Sequence, residues 1–549
     1  MDENNLEAIA LPTLDEARLA SLGNCPLTKL RQYRDGESIF EAGDRECKFD
    51  VVKSGDVEIR DESGETPKTI VVLHPGQFTG DIAQLTGGPA LVSGVARGNC
   101  EVYEVSQPAL RNLLNQHLDM ADLILRAFIA RWRYLRQPGR FTGLRVIGRQ
   151  DSPDTLRVRN FLDKNGVPFT WLNLDTNPQA TQLLSRLGVG EGSSPVVAWG
   201  CKVVMRNPTN RELAEALGLR QPLEQRVYDL AVVGAGPAGL AAAVYGASEG
   251  LNTVVLERTA PGGQAGRSMR IENYLGFPTG ITGADLAERA VVQAYKFGAC
   301  VSVATLVQGL SFDDGRAVLH LDGGETVASR SLLIASGADY RRLGVEGCEP
   351  FEGRGVYYAA TPIEAQMCRG SDVIVVGGGN SAGQAAVYLA GQTRKVYLII
   401  RGDDLYKDMS TYLARRVEET PNIEVLRNTE VRRISGDGHI GEVEVVNNKT
   451  GEVRTIKTQA LFSFIGAAPR TDWLPPEVER DDEGFVRTGP CLANSQHWTV
   501  PRPPSLLETS HAGVFAAGDV RSGSVKRVAS AVGEGAMAVQ FVHQYLKQA

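Results

Sequence analysis

The sequence predicts a multidomain α/β fold: two strand–glycine–helix units in its C-terminal part, preceded by a β-rich module and a small alternating module. Three observations carry this. YDLAVVGAGPAG at 228–239 and DVIVVGGGNSAG at 372–383 each run from an apolar strand through a glycine turn into an apolar helix. Short apolar or alternating runs punctuated by Gly, Asp and Pro fill the first part of the chain. Between these lies a stretch that alternates strand-like and helix-like segments. The chain has 549 residues, more than one ordinary core holds, so several domains are expected.

Composition narrows the function. Apolar content of 42% and charged content of 22% fit a globular protein. A net charge of −7 without a long basic run argues against nucleic acid and anionic membranes as main partners. The start, MDENNLEAIALPTLDEARL, lacks the basic and apolar regions of a signal peptide, and no apolar run reaches the roughly 18 residues of a spanning helix. A cytoplasmic protein is expected. The eight cysteines (Cys25, Cys47, Cys100, Cys201, Cys300, Cys348, Cys368 and Cys491) contain no C-x-x-C pair. A local zinc knuckle or vicinal redox pair is therefore excluded, no metal site is expected, and reduced, mostly buried thiols are.

The first segment, 1–137, gives strand-like runs ESIF, FDVVKSG, DVEIRD, TIVVLH and CEVYEVS, with turns at Gly43-Asp44, Ser54-Gly55-Asp56 and Pro75-Gly76. A helical stretch, PALRNLLNQHLDMADLILRAFIARWRYL, follows, and RQPGR at 136–140 reads as a linker. The second segment, 141–221, reads β-α-β-α-β-β-α through LRVIG, TLRVRNFLDKNG, PFTWLNL, ATQLLSRLG, PVVAWG, KVVM and NRELAEALGL. The third, from 226 to the end, holds both glycine units.

Gly234, Gly236 and Gly239 fit G-x-G-x-x-G between strand and helix, where glycine permits the tight turn and the approach of backbone to a diphosphate. The next strand, NTVVLE, ends in Glu257, placed to bind ribose hydroxyls. In the second unit Gly377, Gly379 and Ala382 take the same places, with Asn380 and Ser381 opening the helix. Its following strand, KVYLII, leads into Arg401 and not an acid. Arginine there suits a 2′-phosphate, so NADPH is expected over NADH, with Lys407 as a second phosphate partner. Two Rossmann-like dinucleotide-binding domains follow from these units.

From 226 onward the chain resembles the low-molecular-weight thioredoxin reductase family of FAD/NADPH flavoproteins. PGGQAGRS at 261–268, IENYLGFPTGITGADL at 271–286, LLIASGADYRRL and GVFAAGDVRSG at 513–523 carry the resemblance. It implies an FAD domain at 226–345 and 466–549, an NADPH domain at 346–465, and a homodimer. It also implies that Gly262, Gly263, Gln264 and Asn273 lie along the flavin. By the same resemblance Asp519, next to Gly518 in the flavin motif, should hold the ribityl chain, and Arg527 and Val528 should approach the pyrimidine end of the ring. There the N–H groups at the helix start would stabilise charge.

The departure is as specific as the match. The family's redox C-A-T-C falls on Ala359-Ala360-Thr361-Pro362, so the thiolate and its resolving partner are both missing. The second segment resembles glutaredoxin-like thioredoxin folds, with SSPVV at 193–197 carrying the Pro195 loop. Its C-P-x-C place reads Ser152-Pro153-Asp154-Thr155, again without thiols. It is expected to be a docking or spacer domain, or one that still binds a peptide or thiol ligand. The first segment resembles cyclic-nucleotide-binding β-barrels through GQFTGDIAQLTGGPALVSGVA at 76–96. Its candidate nucleotide cassette keeps Gly80-Asp81, but the phosphate-binding arginine falls at Ala90. A different ligand or a structural role is expected there, with Arg97 expected at the surface.

The resulting expectation is an NADPH-oxidising FAD enzyme without the usual dithiol, passing electrons to an unidentified small-molecule or protein acceptor, with the N-terminal domain and a nucleotide ligand there as its candidate regulator. Three alternatives stay open: thioredoxin-disulfide reduction through distant cysteines such as Cys368, a ferredoxin or flavodoxin NADP reductase, and a non-enzymatic redox or nucleotide sensor.

Overall fold

The apolar runs that precede the two glycine turns become central strands of two parallel sheets. The computed structural model describes residues 6–548 except 24, 46, 63–66, 138–142, 191, 193, 200–202, 225 and 269. Residues 138–140 of the expected linker, Phe141 at the start of the second segment, Ser193 and Cys201 lie outside the described residues.

In the first parallel sheet Tyr228–Val233 lies between Thr253–Glu257 and Thr326–Ile334, with registers Leu230↔Thr253 and Leu230↔Ser331. Cys300–Val303 and Val514–Ala516 extend it in parallel, and Val307–Asp313 with Arg316–Leu321 adds an antiparallel hairpin. A strand buried on both faces must be apolar throughout, and Thr253–Glu257 is buried at every position. Helix Pro237–Ser248 packs on this sheet through small residues such as Ala238, Ala242 and Ala243. Small size is demanded by the crossing helix Val528–Leu546: a Cβ on its Gly535 would lie 2.0 Å from the Ala238 carbonyl oxygen.

The second parallel sheet has Asp372–Val376 between Lys395–Ile399 and Ala460–Ser463, flanked by Ile423–Leu426 and Val356–Tyr357. A three-stranded antiparallel sheet, Thr429–Asp437, His439–Asn447 and Val453–Lys457, packs its inner face on it through Ile434, Val443 and Ile456. Two short antiparallel strands, Ala338–Tyr340 and Ala467–Pro469, join the two sheets' chain segments.

Ahead of these, Thr28–Tyr33, Ser38–Phe40, Phe49–Asp61, Lys68–Leu73 and Ser93–Val105 form one antiparallel sheet. The sequence reading divides FDVVKSG from DVEIRD by a turn; the structure runs them as one 13-residue strand. Ser54-Gly55-Asp56 is a bulge in it, since the ladder shifts there and a Cβ on Gly55 would lie 2.4 Å from the Asn99 carbonyl oxygen. The expected single helical stretch is two helices, Gln107–Gln116 and Leu118–Arg136, meeting at His117. The second module has the sheet Thr170–Asn173, Leu144–Gly148, Val196–Trp199, Val203–Arg206 with helices Pro153–Lys164, Pro178–Arg186 and Asn210–Ala216, in the expected order.

The modules are not beads on a string. One buried apolar cluster runs from Leu14 and Phe128 of the first module through Phe161 of the second to Leu230 and Val539 of the third. Polar links cross the same boundaries. Arg133 pairs with Asp285 at 2.6 Å and Glu288 at 3.1 Å, and Arg136 with Glu288 at 2.7 Å. Both acids sit on helix Gly283–Phe297. Gln221 donates to the Thr86 carbonyl and accepts from the Val301 N–H.

Candidate functional site

The turn after Tyr228–Val233 reverses the chain against the neighbouring strand. Gly234 does this at φ +102°, and a Cβ there would lie 2.4 Å from the Ala335 carbonyl oxygen. A Cβ on Gly239 would lie 1.9 Å from the Gly234 carbonyl oxygen, so turn and helix touch through bare backbone. Gly236 is different. It caps helix Pro237–Ser248, and the nearest chain atom to a Cβ there is 3.9 Å away. Free N–H groups of the first turn and open space meet at that point, which suits a diphosphate. The second unit repeats the plan. A Cβ on Gly377 would lie 2.4 Å from the Phe464 carbonyl oxygen, while Gly379 caps helix Asn380–Ala390 with its nearest neighbour, the Asp408 carbonyl oxygen, 3.9 Å off.

Both helix starts open on one cavity of about 1500 Å³. Gly234, Gly236, Glu257, Gly263 and Gln264 line it, and Gly518, Asp519, Arg527 and Val528 line it from the C-terminal segment. From the second sheet come Gly377, Gly379, Asn380, Ser381, Ala382, Arg401 and Lys407. Gly239 and Gly262 support the wall from behind; the Gly262 N–H donates to the Ala235 carbonyl at 2.7 Å. Asn273 is not brought into the site. It sits exposed on a loop closed by the Ile271↔Ile281 bridge, whose Glu272 is drawn to Arg416 at 2.8 Å.

The polar groups show what the cavity can hold. Glu257 accepts the Ala235 N–H at 2.7 Å and the Thr259 N–H at 2.8 Å, so it braces the glycine turn as well as facing the cavity. The Gln264 amide donates to the Ala338 carbonyl at 3.1 Å, leaving its oxygen buried without a donor. Burial raises the Asp519 carboxyl above the usual range, and Lys526 counters this in part. An orphaned amide oxygen and an uncapped carboxyl are the acceptors that ribityl hydroxyls and a ring N–H require. The residues present therefore fit FAD at the first unit and a second dinucleotide at the other. Glu534 is a residue the sequence gives no sign of: it accepts the Gly518 N–H at 2.7 Å and pairs with Arg521.

Thr361 and Pro362 reach the cavity wall; Ala359 is half-buried and does not line it. Thr361 caps helix Pro362–Met367 reciprocally with Glu364. Among the described residues no cysteine lines the cavity. Cys368 is buried in the second sheet's core, and burial pushes its thiol up to about 12. Ser152 caps helix Pro153–Lys164 and receives the Thr155 N–H at 3.3 Å, while Thr155 is buried against Gly148. It is the other end of that helix, Asp163 and Lys164, that lines the cavity, while Ser152 and Thr155 at its start do not.

Asp81 also lines the large cavity, and with Gly80 it lines a separate space of about 90 Å³ inside the first module. The cation there is Arg131, which the sequence reading passes over. Its guanidinium donates to the carbonyls of Ala10, Phe78 and Gly80.

Residues 228–535 match the pyridine nucleotide-disulphide oxidoreductase family, more than half of the chain. The chain belongs to this family. The oxidoreductase is 32% identical over 326 residues to the thioredoxin reductase of Bacillus subtilis (strain 168), spanning 59% of this chain and 96% of that protein. It is 35% identical over 320 residues to that of Treponema pallidum (strain Nichols), 58% of this chain and 97% of the relative. The thioredoxin reductase of Lactococcus lactis in its FR conformation aligns with 59% of the oxidoreductase and 100% of its own chain, at 29% identity and a TM-score of 0.53. That of T. acidophilum aligns with 58% and 99%, also at 29% and 0.53. It is thus a thioredoxin reductase-like oxidoreductase, of a family whose members use FAD and NADPH. Residues 30–117 of the oxidoreductase match the cyclic nucleotide-binding domain. No helix of the described residues is long and apolar enough to cross a membrane.

Proposed function

We propose that this chain oxidises NADPH through FAD and delivers the electrons to an acceptor without an in-chain dithiol. One observation carries the reading: both glycine units open on a single cavity that, among the described residues, no cysteine lines. When bound, NADPH supplies a hydride and FAD takes up its electrons and releases them to the acceptor. The chain's part is to bind and orient. The helix starts at Gly236 and Gly379 receive the diphosphates, Asp519 and Gln264 hold hydroxyl and ring donors, and the start of Val528–Leu546 offers N–H groups to negative charge. Ala359 and Pro362 stand where relatives' thiols are expected, and Ser152 and Thr155 repeat the loss in the glutaredoxin-like module. Reduction through Cys368 is disfavoured, because a buried thiol raised to about 12 holds almost no thiolate at neutral pH. Anaerobic NADPH is expected to bleach the flavin band at one equivalent, and the Cys368→Ser variant to turn over acceptors at the wild-type rate. An unbleached flavin sinks the reading, and a Cys368→Ser variant that loses turnover restores the thiol route.

A second reading concerns the first module, which we take as a wall of the flavin cavity and not a cyclic-nucleotide receptor. Arg131 is already committed to three carbonyls. The space beside it, about 90 Å³, falls below the roughly 300 Å³ at which small-molecule pockets begin. Much of its wall is apolar, with Phe40, Ile59, Leu73 and Leu91 among the lining residues. Millimolar cAMP or cGMP should therefore leave NADPH turnover and the melting temperature unchanged. A reproducible shift in either assigns the module a receptor role.

A further inference from the structure

Two cations line the cavity, within each other's field, without an ion pair of their own among the described residues. Lys164 ends helix Pro153–Lys164 of the second module, and Arg267 ends the short 3-10 turn Ala265–Arg267 beside the glycine loop. Both are half-buried and line the cavity. Neither side chain has an ion pair or hydrogen bond among the described residues. Neighbouring arginines differ in this: Arg133 and Arg136 are held by Glu288, and Arg470 by Asp339.

The nearby acids do not neutralise the pair. Glu364 is tied up as the reciprocal cap of Thr361, whose N–H it accepts at 3.1 Å. Asp163 is exposed. Burial, and then the like charge of Arg267, lower the Lys164 ammonium below its ordinary value, against the opposing pull of Glu364 and Asp163. Two half-buried like charges within each other's field are unfavourable until an anion joins them. The position is also fixed. Asn165, next to Lys164, donates to the Thr259 carbonyl at 3.1 Å and the Phe161 carbonyl at 2.8 Å, anchoring the helix end to the flavin sheet. The Asn165 side-chain oxygen, on the same wall, is buried and lacks a donor.

We propose that Lys164 and Arg267 form an anion subsite beside Thr361-Pro362 that holds an acidic group of the electron acceptor, making that acceptor a small anionic molecule. The subsite rests on the reading of the chain as an NADPH-oxidising flavoprotein. The diphosphate of the cofactor has its own place at the Gly236 helix start, whereas Lys164 comes from another module and stands close to the Glu364 cap. For a quinone-type acceptor the balance is simple: one NADPH and one proton convert one quinone to one quinol and NADP⁺, with two electrons moved.

The test uses the full-length holoenzyme with 1,4-naphthoquinone and its 2-sulfonate. In Lys164→Met and Arg267→Met, the ratio of kcat/KM for the sulfonated over the neutral quinone should fall about 10- to 100-fold, the range expected for a lost charge-assisted bond. Lys164→Arg should recover most of it. Bound FAD per chain is measured in each variant. An unchanged ratio overturns the subsite, and so does loss of FAD, which would place the cations on the cofactor's diphosphate. A direct titration of oxidised holoenzyme with 2-naphthalenesulfonate, followed by flavin absorbance, needs no reduction by NADPH. Tighter binding by wild type than by the double variant supports the subsite, and equal binding overturns it, whether or not NADPH bleaches the flavin.

Discussion

Replacing Gly236 by valine is expected to give a folded protein stripped of flavin. The nearest chain atom to a Cβ at this position is 3.9 Å away, and its φ of −73° is open to any residue, so the chain itself tolerates the substitution. What the side chain would fill is the space at the free N–H groups of helix Pro237–Ser248, where backbone must approach a diphosphate. Displacement by even one or two methyl groups costs about 1–3 kcal/mol, about 5- to 150-fold in affinity, so flavin should be lost from the variant on dilution under conditions where the wild type keeps it. Gly239→Ala is the contrasting case. Its Cβ would stand 1.9 Å from the Gly234 carbonyl oxygen, so it must push the helix off the sheet and lower the melting temperature of the apoprotein as well. The measurements are the ratio of flavin to protein absorbance and thermal unfolding of flavin-free material. A Gly236→Val variant that keeps its flavin removes the diphosphate from this helix start. Equal destabilisation of both variants' apoproteins would falsify the distinction between a ligand space and a packing contact.

That contrast marks what the sequence can convey. The spacing of Gly234, Gly236 and Gly239 identifies the unit, yet only the fold separates the glycine that leaves room for a ligand from those that touch backbone. Short-range signals carry well. Apolar runs bounded by glycine turns give both parallel sheets, and the β-α-β-α-β-β-α order of the second module is read correctly because each element has its own punctuation. The edge strand Thr28–Tyr33 is missed since TKLRQY is exposed at its centre and shows no buried alternation. The bulge at Gly55 is taken for a turn because a positive φ serves both purposes. Site residues held by tertiary contacts are the least legible. Arg131 lies about fifty positions from the carbonyls of Phe78 and Gly80 that hold it, and Lys164 and Arg267 line one cavity only because two modules pack together. Glu257 shows a subtler gap: its place at a strand end predicts a ribose contact, but not the three backbone N–H groups of Ala235, Thr259 and Ala260 that its carboxylate also gathers.

The preference for NADPH should rest on Arg401 and Lys407. Strand Lys395–Ile399 delivers Arg401 to the cavity rim, at the place where the flavin unit has Glu257, and both cations are exposed there. The backbone there is held by Asn448, whose amide donates to the Arg401 carbonyl at 3.0 Å, and the guanidinium has no side-chain partner among the described residues. A 2′-phosphate would make a charge-assisted bond to each cation, worth roughly 1.5–3 kcal/mol before solvent screening reduces it. Arg401→Leu combined with Lys407→Leu should therefore lower the ratio of kcat/KM for NADPH over NADH by about 10- to 100-fold. It should also flatten the salt dependence of the NADPH reaction, because exposed charges are screened within about 10 Å at 0.1 M salt. A ratio within about twofold of wild type assigns selectivity to other groups. The same rim sets the sign of the reverse change. Asp403 is paired with Lys449 at 3.1 Å, whereas Asp404 accepts the Tyr406 N–H at 2.8 Å and, among the described residues, lines the rim without a cation of its own. Removing that charge in Asp404→Asn relieves repulsion of a 2′-phosphate and leaves a 2′-hydroxyl nearly indifferent, so the NADPH-to-NADH ratio should rise. A fall would mean that the phosphate does not lie at this rim.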